Sequence, residues 1–312
     1  MAIVTAVGLT KRWGDNDVLV DTSFEIGTGV TGLLGSNGSG KTTLFGMFLG
    51  LHSPNEGTLR VLDLDPLRQG AEIRQRLGYA PEHEALPSDM TAYDFVRHVA
   101  ELHGLPRRAA AGRASDALYE VGLGEERARP CGTMSTGQKQ RVKLAQAIVH
   151  DPYLVLLDEP TNGLDPVQRD EMLDLIRRCG HELGLSVILS SHLLDEIERT
   201  CDRVVIVANR VVTDGGSLTR HTTSQDEVPL VIDLDAAAAD VENFAVQLQL
   251  LGLAATVDPL RPTVVRVNPT DQISGVQARA KIRDLAVDAD LPIRSMRRLV
   301  RSLEDMFFEA TA

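Results

Sequence analysis

The chain has 312 residues, 43% of them hydrophobic, with 44 acidic and 32 basic side chains and a formal net charge of −12. That apolar share excludes a disordered chain, and the 26 glycines and 14 prolines follow no period, which excludes a collagen-like one. The acidity argues against general nucleic-acid binding, no apolar run approaches the ~20 residues of a membrane-spanning helix, and Cys131, Cys179 and Cys201 lack metal-ligand spacing and are expected as reduced thiols.

The first 60 residues mix short β-like runs with turn residues; VLVDTSFEI (18–26) alternates in part, and GVTGLLG (29–35) is an apolar strand running into a glycine loop. KTTLFGMFLG (41–50) reads as a helix. Residues 85–129 read as helical, with Ser88, Asp89 or Thr91 capping a stripe of Phe95, Val96, Val99 and Leu102 and a second helix over 107–121. A further helix starts near Ser135 and ends before Asp151-Pro152. Next come a buried strand YLVLLDE (153–159), a helix over 166–183, a strand SVILSS (186–191), a helix LLDEIERTC (193–201) and a hairpin RVVIVANRVVTDG (203–215) turning at Asn209-Arg210. Strands alternating with helices predict a mostly parallel α/β sheet with an antiparallel portion at the start.

Residues 217–227 are polar and turn-rich and read as a linker. Beyond them the order β-α-β-β-α-β predicts a small ferredoxin-like α+β domain over 228–312, ending in a helical segment. Arg294, Arg297, Arg298 and Arg301 fall at helical spacing and predict one basic, solvated face. The length suits two domains, and the N-terminus has no basic segment before its apolar stretch and no small-residue cleavage site of the secretory kind, so a soluble cytosolic protein is expected.

GSNGSGKT (35–42) fits G-x-x-x-x-G-K-[ST] between an apolar strand and a helix. Glycines at 35, 38 and 40 let backbone N–H groups turn inward, and the helix N-terminus adds partial positive charge where phosphates would sit. Gly35, Ser36, Asn37, Gly38, Ser39, Gly40, Lys41, Thr42 and Thr43 make up this candidate phosphate site; Lys41 would reach the β- and γ-phosphates and Thr42 would offer its hydroxyl to Mg²⁺. The strand LVLLDE (154–159) ends in two carboxylates: Asp158 to hold Mg²⁺ through water, Glu159 to polarise an attacking water as general base. His192 follows SVILSS and would point into the same crevice, as a catalytic residue that contacts the γ-phosphate and orients the water. In MSTGQ (134–138), Ser135 caps a helix whose first turn holds Gly137 and Gln138, a second anion site far along the chain from the first. Two such helix ends in one chain suggest a two-fold dimer in which each ATP is clamped by the glycine loop of one subunit and the Ser135–Gln138 turn of the other.

Taken together these segments resemble the ATP-binding cassette family over residues 2–216: 35–42 looks like its Walker A, 154–159 its Walker B, 134–138 its signature, 163–165 its D-loop and His192 its switch histidine. The resemblance implies a P-loop ATPase fold with an antiparallel β portion and a helical subdomain at about 83–150, ATP and Mg²⁺ as ligands, and hydrolysis that drives transport. It implies a second nucleotide-binding subunit, a separate integral-membrane permease, and a place on the cytoplasmic face of the membrane. The C-terminal extension and SLEDMFFEATA resemble the subclass that powers exporters, and residues 82–95 are expected to sense the permease. Trp13, the sole tryptophan, falls where the family places an aromatic that stacks on adenine, with core packing as its alternative role. Two positions depart from the family pattern: Glu82 stands where glutamine is usual, still able to accept Mg²⁺ or water, and Thr136 stands where the signature usually has glycine. The rival readings are a soluble ATPase of the same family acting outside transport and a nucleotide sensor that does not hydrolyse. The first usually needs two cassettes or a long coiled coil, and the second conflicts with intact Lys41, Asp158, Glu159 and His192.

Overall fold

The computed structural model describes residues 2–83, 86–218, 230–258, 261–268, 273, 275–298 and 307. They form two compact units, one over 1–218 with 303–312 and one over 219–302.

The first unit opens with a three-stranded antiparallel sheet. Its strands β1 (Ala2–Trp13), β2 (Asn16–Gly27) and β4 (Glu56–Val61) lie in the order β2-β1-β4. A six-stranded sheet follows, built from β3 (Val30–Leu34), β5 (Leu77–Ala80), β6 (Leu154–Asp158), β7 (Ser186–Ser191), β8 (Arg203–Ala208) and β9 (Val211–Ser217) in the order β5-β6-β7-β3-β8-β9. All neighbours are parallel except the β8–β9 hairpin. Asn209 and Arg210 turn that hairpin with φ of 48° and 65°, the left-handed pair a two-residue hairpin turn demands.

Both faces of the large sheet are covered, which explains why β3, β6 and β7 are buried at every position. Successive residues split between two cores. Val155, Leu157, Val187 and Leu189 join one core with α3 (Ala92–Leu102), α4 (Arg107–Glu120) and α5 (Thr136–Ile148). Leu154, Leu156 and Ile188 join the other, with the small sheet and α1 (Lys41–Phe48). Helix α1 carries its polar residues Lys41, Thr42 and Thr43 in the first turn and buries Leu44, Phe45, Met47 and Phe48 beyond it. Thr91 is the cap of α3, accepting from the Asp94 N–H at 3.0 Å, so of the three candidates the threonine serves. The helical reading of 85–129 holds for α3 and α4; Glu125–Ala128 and Cys131–Thr133 are short 3-10 turns. Helices α6 (Pro166–His181) and α7 (Leu194–Thr200) flank β7. The small helix α2 (Gly70–Gln75) precedes β5. The three cysteines are buried free thiols, and no helix among the described residues is long and apolar enough to cross a membrane.

The second unit runs β10 (Leu230–Leu234), α8 (Ala238–Leu250), β11 (Ala254–Asp258), β12 (Arg261–Asn268), α9 (Gly275–Asp288) and β13 (Ile293–Arg298). Its antiparallel sheet has the order β11-β12-β10-β13, the ferredoxin-like arrangement, over a core that includes Ile232, Phe244, Leu248, Val265 and Ile282. The predicted basic helical face is corrected here. Arg294 and Arg297 lie on strand β13, where pairing with β10 fixes the period at two and dissolves a 3.6-residue face; Arg294 ion-pairs with Asp235. Arg301, most of the predicted linker and most of the final helical segment lie outside the described residues. Phe307, placed by sequence in the C-terminal domain, groups with the first unit and packs on its core.

Candidate active site

Strands β5, β6, β7 and β3 are adjacent and parallel, so their C-terminal ends open side by side. Each end delivers one predicted element: Glu82 beyond β5, Asp158 and Glu159 at β6, His192 after β7, and the glycine loop after β3. This is the crevice in which doubly wound sheets bind ligands. A pocket of about 350 Å³ lies there, lined by Asn37, Gly38, Gly40, Lys41, Thr42, Thr43, Glu82, Asp158 and Glu159, with Val18 of β2 as an apolar wall.

The loop conformation forbids side chains at two of its glycines. A Cβ on Gly35 would stand 2.5 Å from Ser39 Oγ and 2.6 Å from Val207 O, and one on Gly40, at φ 109°, would stand 2.8 Å from Val18 Cγ1. Gly40 is the N-cap of α1 and brings no side chain to it, so the first N–H groups of that helix face the pocket uncapped. Lys41, only 6% exposed, donates to Gly35 O at 2.7 Å and Ser36 O at 3.3 Å and pairs with Glu159 Oε1 at 3.2 Å.

The carboxylates are held tightly. Thr42 Oγ1 donates to Asp158 Oδ2 at 3.0 Å and Ser190 Oγ to Asp158 Oδ1 at 2.7 Å. Ser190 Oγ also accepts from the Glu159 N–H at 2.9 Å. Glu159 has φ 45°, a left-handed backbone that costs a non-glycine residue about 1–2 kcal/mol and concentrates at functional sites. Its Oε2 meets His192 Nδ1 at 2.9 Å. Glu82 turns its Oε1 to Asn162 Nδ2 at 3.1 Å, while its carbonyl accepts from Lys143 Nζ at 2.9 Å. Burial, with the charges of Asp158 and Glu82 adding to it, pushes the Tyr79 phenol on β5 up to about 12.

Two buried oxygens test the fit of a phosphate and a metal. Ser39 Oγ has no hydrogen-bond partner among the described residues, a condition that a bound phosphate would relieve, while Glu159 Oε1 is held by the Lys41 ion pair alone. The hard oxygen donors Thr42 Oγ1 and Asp158 suit Mg²⁺. No group of three or more His, Cys, Asp or Glu among the described residues could hold a metal, so phosphate oxygens and water would complete its shell.

The second predicted anion site is a capping box. Ser135 Oγ accepts from the Gln138 N–H at 3.3 Å and Gln138 Oε1 accepts from the Ser135 N–H at 3.1 Å. Ser135 and Thr136 are exposed and Gly137 is buried, its missing side chain leaving room for Gln168 of α6. This turn is not among the residues that line the pocket around Lys41. Trp13 is 48% exposed at the end of β1, which removes core packing as its role, and its ring meets His52 edge to face.

Sequence reasoning missed the support of these groups. Ser190 and Ser191 end the apolar strand β7, and a polar pair at the buried end of a strand next to a carboxylate was the available signal. Glu196, 2% exposed, accepts from Ser191 Oγ at 2.6 Å and Thr161 Oγ1 at 2.8 Å, joining the turn after β6 to α7. Asn162 and Lys143 carried no sequence signal pointing to Glu82.

A family profile described as ABC transporter matches residues 19–162. The uncharacterized ABC transporter ATP-binding protein YxlF of Bacillus subtilis is 30% identical over 305 residues, spanning 96% of this chain and 97% of its own length. The bacitracin transport ATP-binding protein BcrA of Enterococcus faecalis is 34% identical over 206 residues, 66% of each chain. Among solved structures, cbiO1 from Clostridium perfringens, part of the ABC transporter complex cbiONQ, superposes with a TM-score of 0.65 at 26% identity, covering 80% of this chain and 97% of that one.

Proposed function

The chain belongs to the ABC transporter family, as one of its ATP-binding, ATP-hydrolysing subunits, and from that premise we propose that two copies close over two MgATP and pass the closure to a separate membrane permease. The observation that carries this reading is the convergence of the ends of β3, β5 and β6 on one pocket, with His192 after the adjacent β7 bonded to Glu159.

In this reading the N–H groups of 35–43 and Lys41 bind the phosphates, Thr42 and Asp158 would hold Mg²⁺, and Glu82, which lines the same pocket, would accept the ion or its water. The ion, when bound, neutralises charge on the β- and γ-phosphate oxygens. Trp13 stacks on the base. Glu159 takes the proton of the attacking water, and His192, bonded to its Oε2, orients that carboxylate. Lys41 exchanges its contact with Glu159 for phosphate oxygens, releasing Oε1 for the proton. Ser135, Gly137 and Gln138 of the second copy close the pocket from the other side. That the Ser135 turn is exposed and away from the Lys41 pocket supports a two-copy arrangement. Residues 82–95 contact the permease, residues 228–312 form an accessory, regulatory domain, and the subunit sits on the cytoplasmic face of the membrane. Similarity to the Nod factor export ATP-binding protein I of Burkholderia orbicola, 31% identical over 286 residues, favours export.

Glu159→Gln decides the central step. It keeps the hydrogen-bonding shape and removes the base, so ATP binding persists, turnover falls by at least about 100-fold, and ATP shifts the variant to a dimer on gel filtration. Wild-type phosphate release would reject Glu159 as the base, and a variant that stays monomeric with ATP would reject the shared site.

A further inference from the structure

The surroundings of Trp13 contain a charge that the phosphate site does not use. Lys11 is only 6% exposed. Its Nζ lies 4.0 Å from the centre of the Trp13 ring and donates to Ser53 O at 2.8 Å. A buried ammonium is expensive to desolvate, and here a main-chain carbonyl and a π face hold it. His52 meets the same indole with ring centroids 4.9 Å apart and planes at 86°. The His52 ring in turn fills the space a side chain on Gly46 would take, since a Cβ there would stand 2.3 Å from its Cδ2. Gly46 lies on α1, the helix that starts at Lys41. The indole is thereby fixed to the helix whose other end faces the phosphate pocket, while nearly half of Trp13 stays exposed.

We infer that Lys11 is a specificity-determining positioning residue that holds the Trp13 ring and withdraws π density from it, so that the exposed ring selects an electron-rich purine. The inference rests on the reading of Trp13 as the base-stacking residue and deepens it. A cation on one face of an indole makes the opposite face less negative. An electron-rich flat partner such as adenine then gains more from stacking than a pyrimidine does, and a bare triphosphate gains nothing.

Because Trp13 is the sole tryptophan, its fluorescence reports on this ring alone. The full chain and the variants Lys11→Met, Lys11→Gln, Lys11→Arg and Trp13→Ala are titrated with ATP, UTP and inorganic tripolyphosphate by calorimetry, with Trp13 quenching followed in parallel. Lys11→Gln removes the charge but keeps a donor for Ser53 O, which guards against a folding defect in Lys11→Met. Removing the charge should weaken ATP binding about three- to tenfold, narrow the preference for ATP over UTP and leave tripolyphosphate unchanged, and Lys11→Arg should restore most of the loss. Unchanged ATP affinity in the charge-removed variants overturns the inference. So does equal weakening of ATP and tripolyphosphate, which would mark a merely structural role, or failure of Lys11→Arg to restore. Trp13→Ala separates the two levels. If it weakens ATP selectively while Lys11→Gln does not, only the role of Lys11 falls; if it leaves ATP affinity intact, the stacking reading itself falls.

Discussion

Ser190→Ala is the sharpest probe of how the catalytic carboxylates are held. The Ser190 side chain is fully buried, donates 2.7 Å to Asp158 Oδ1 and accepts at 2.9 Å from the Glu159 N–H. Alanine removes a charge-assisted bond contributing about 1.5–3 kcal/mol and leaves a buried N–H unpaired at about 1–3 kcal/mol. The two sum to about 2.5–6 kcal/mol, and a loss toward the lower end leaves the variant folded within the roughly 5–15 kcal/mol of a typical domain. The catalytic consequence is larger. The Glu159 N–H bond to Ser190 helps hold a peptide with φ 45°, and without it the strained residue relaxes and its carboxylate leaves the pocket. Displacement of about 1 Å costs about 100-fold in rate. Phosphate release should therefore show kcat lower by one to two orders of magnitude with KM for ATP little changed, because Lys41 and the glycine loop keep their own contacts. A rise in KM at constant kcat would mean that Ser190 serves binding and not the positioning of Glu159. Wild-type turnover together with an unchanged melting temperature would refute the reasoning.

Two further perturbations test the scaffold. Gly78→Ala puts a Cβ 1.8 Å from Ala147 O, a backbone atom that cannot swing aside; it should lower the urea midpoint by the equivalent of about 2 kcal/mol, and a wild-type midpoint would deny the close seating of α5 on β5. His150 stacks on His103 with centroids 3.6 Å apart and planes at 9°. Burial first, then the neighbouring His103, pushes its pKa down to about 4. An unfolded histidine titrates near 6.5, so stability is fully present above about pH 6.5 and falls as the pH drops toward 4, where only the unfolded chain takes the proton. Discounted for the half-buried ring, the loss is about 1–2 kcal/mol. His150→Phe should flatten the melting temperature across that window, and an equally steep fall in the variant would place the effect elsewhere.

The fold was legible where one physical signal dominated. Uninterrupted apolar runs such as LVLLD and SVILSS mark strands buried on both faces, and the glycine loop marks itself because its backbone excludes side chains at Gly35 and Gly40. The β-α-β-β-α-β order of the second unit followed from the same alternation. The misreading at Arg294 and Arg297 shows the limit of periodicity. Over six residues a helical spacing arises by accident, and strand pairing with β10, a contact remote in sequence, decides the period. In the site, residues that carry charge toward a ligand were visible. Those that hold them, Ser190, Glu196, Asn162 and Lys143, were not, because each has a partner remote in sequence, Asp158, Thr161, Glu82 and Glu82 in turn, that only the fold brings near.

That hidden layer also bears on the two departures from the family pattern. Three polar side chains on α5, at Gln140, Lys143 and Gln146, bind Asn162 O at 3.3 Å, Glu82 O at 2.9 Å and Tyr79 O at 2.6 Å. Their spacing puts them along one side of the helix that Ser135 caps. The strand end carrying Glu82 and the turn carrying Asn162 are thus fastened to a single rod. Asn162 closes the ring by donating to Glu82. A carboxylate at position 82 accepts that bond as well as a glutamine oxygen would, and it adds a negative charge beside Asp158 and Glu159. At the far end of the rod, the Thr136 methyl would stand 3.4 Å from a Cβ on Gly163, ordinary van der Waals contact, so a threonine fits beside that turn without a clash. Both departures are therefore accommodated by residues near them in space, and the Glu82 strand end and the Ser135 turn are both attached to α5.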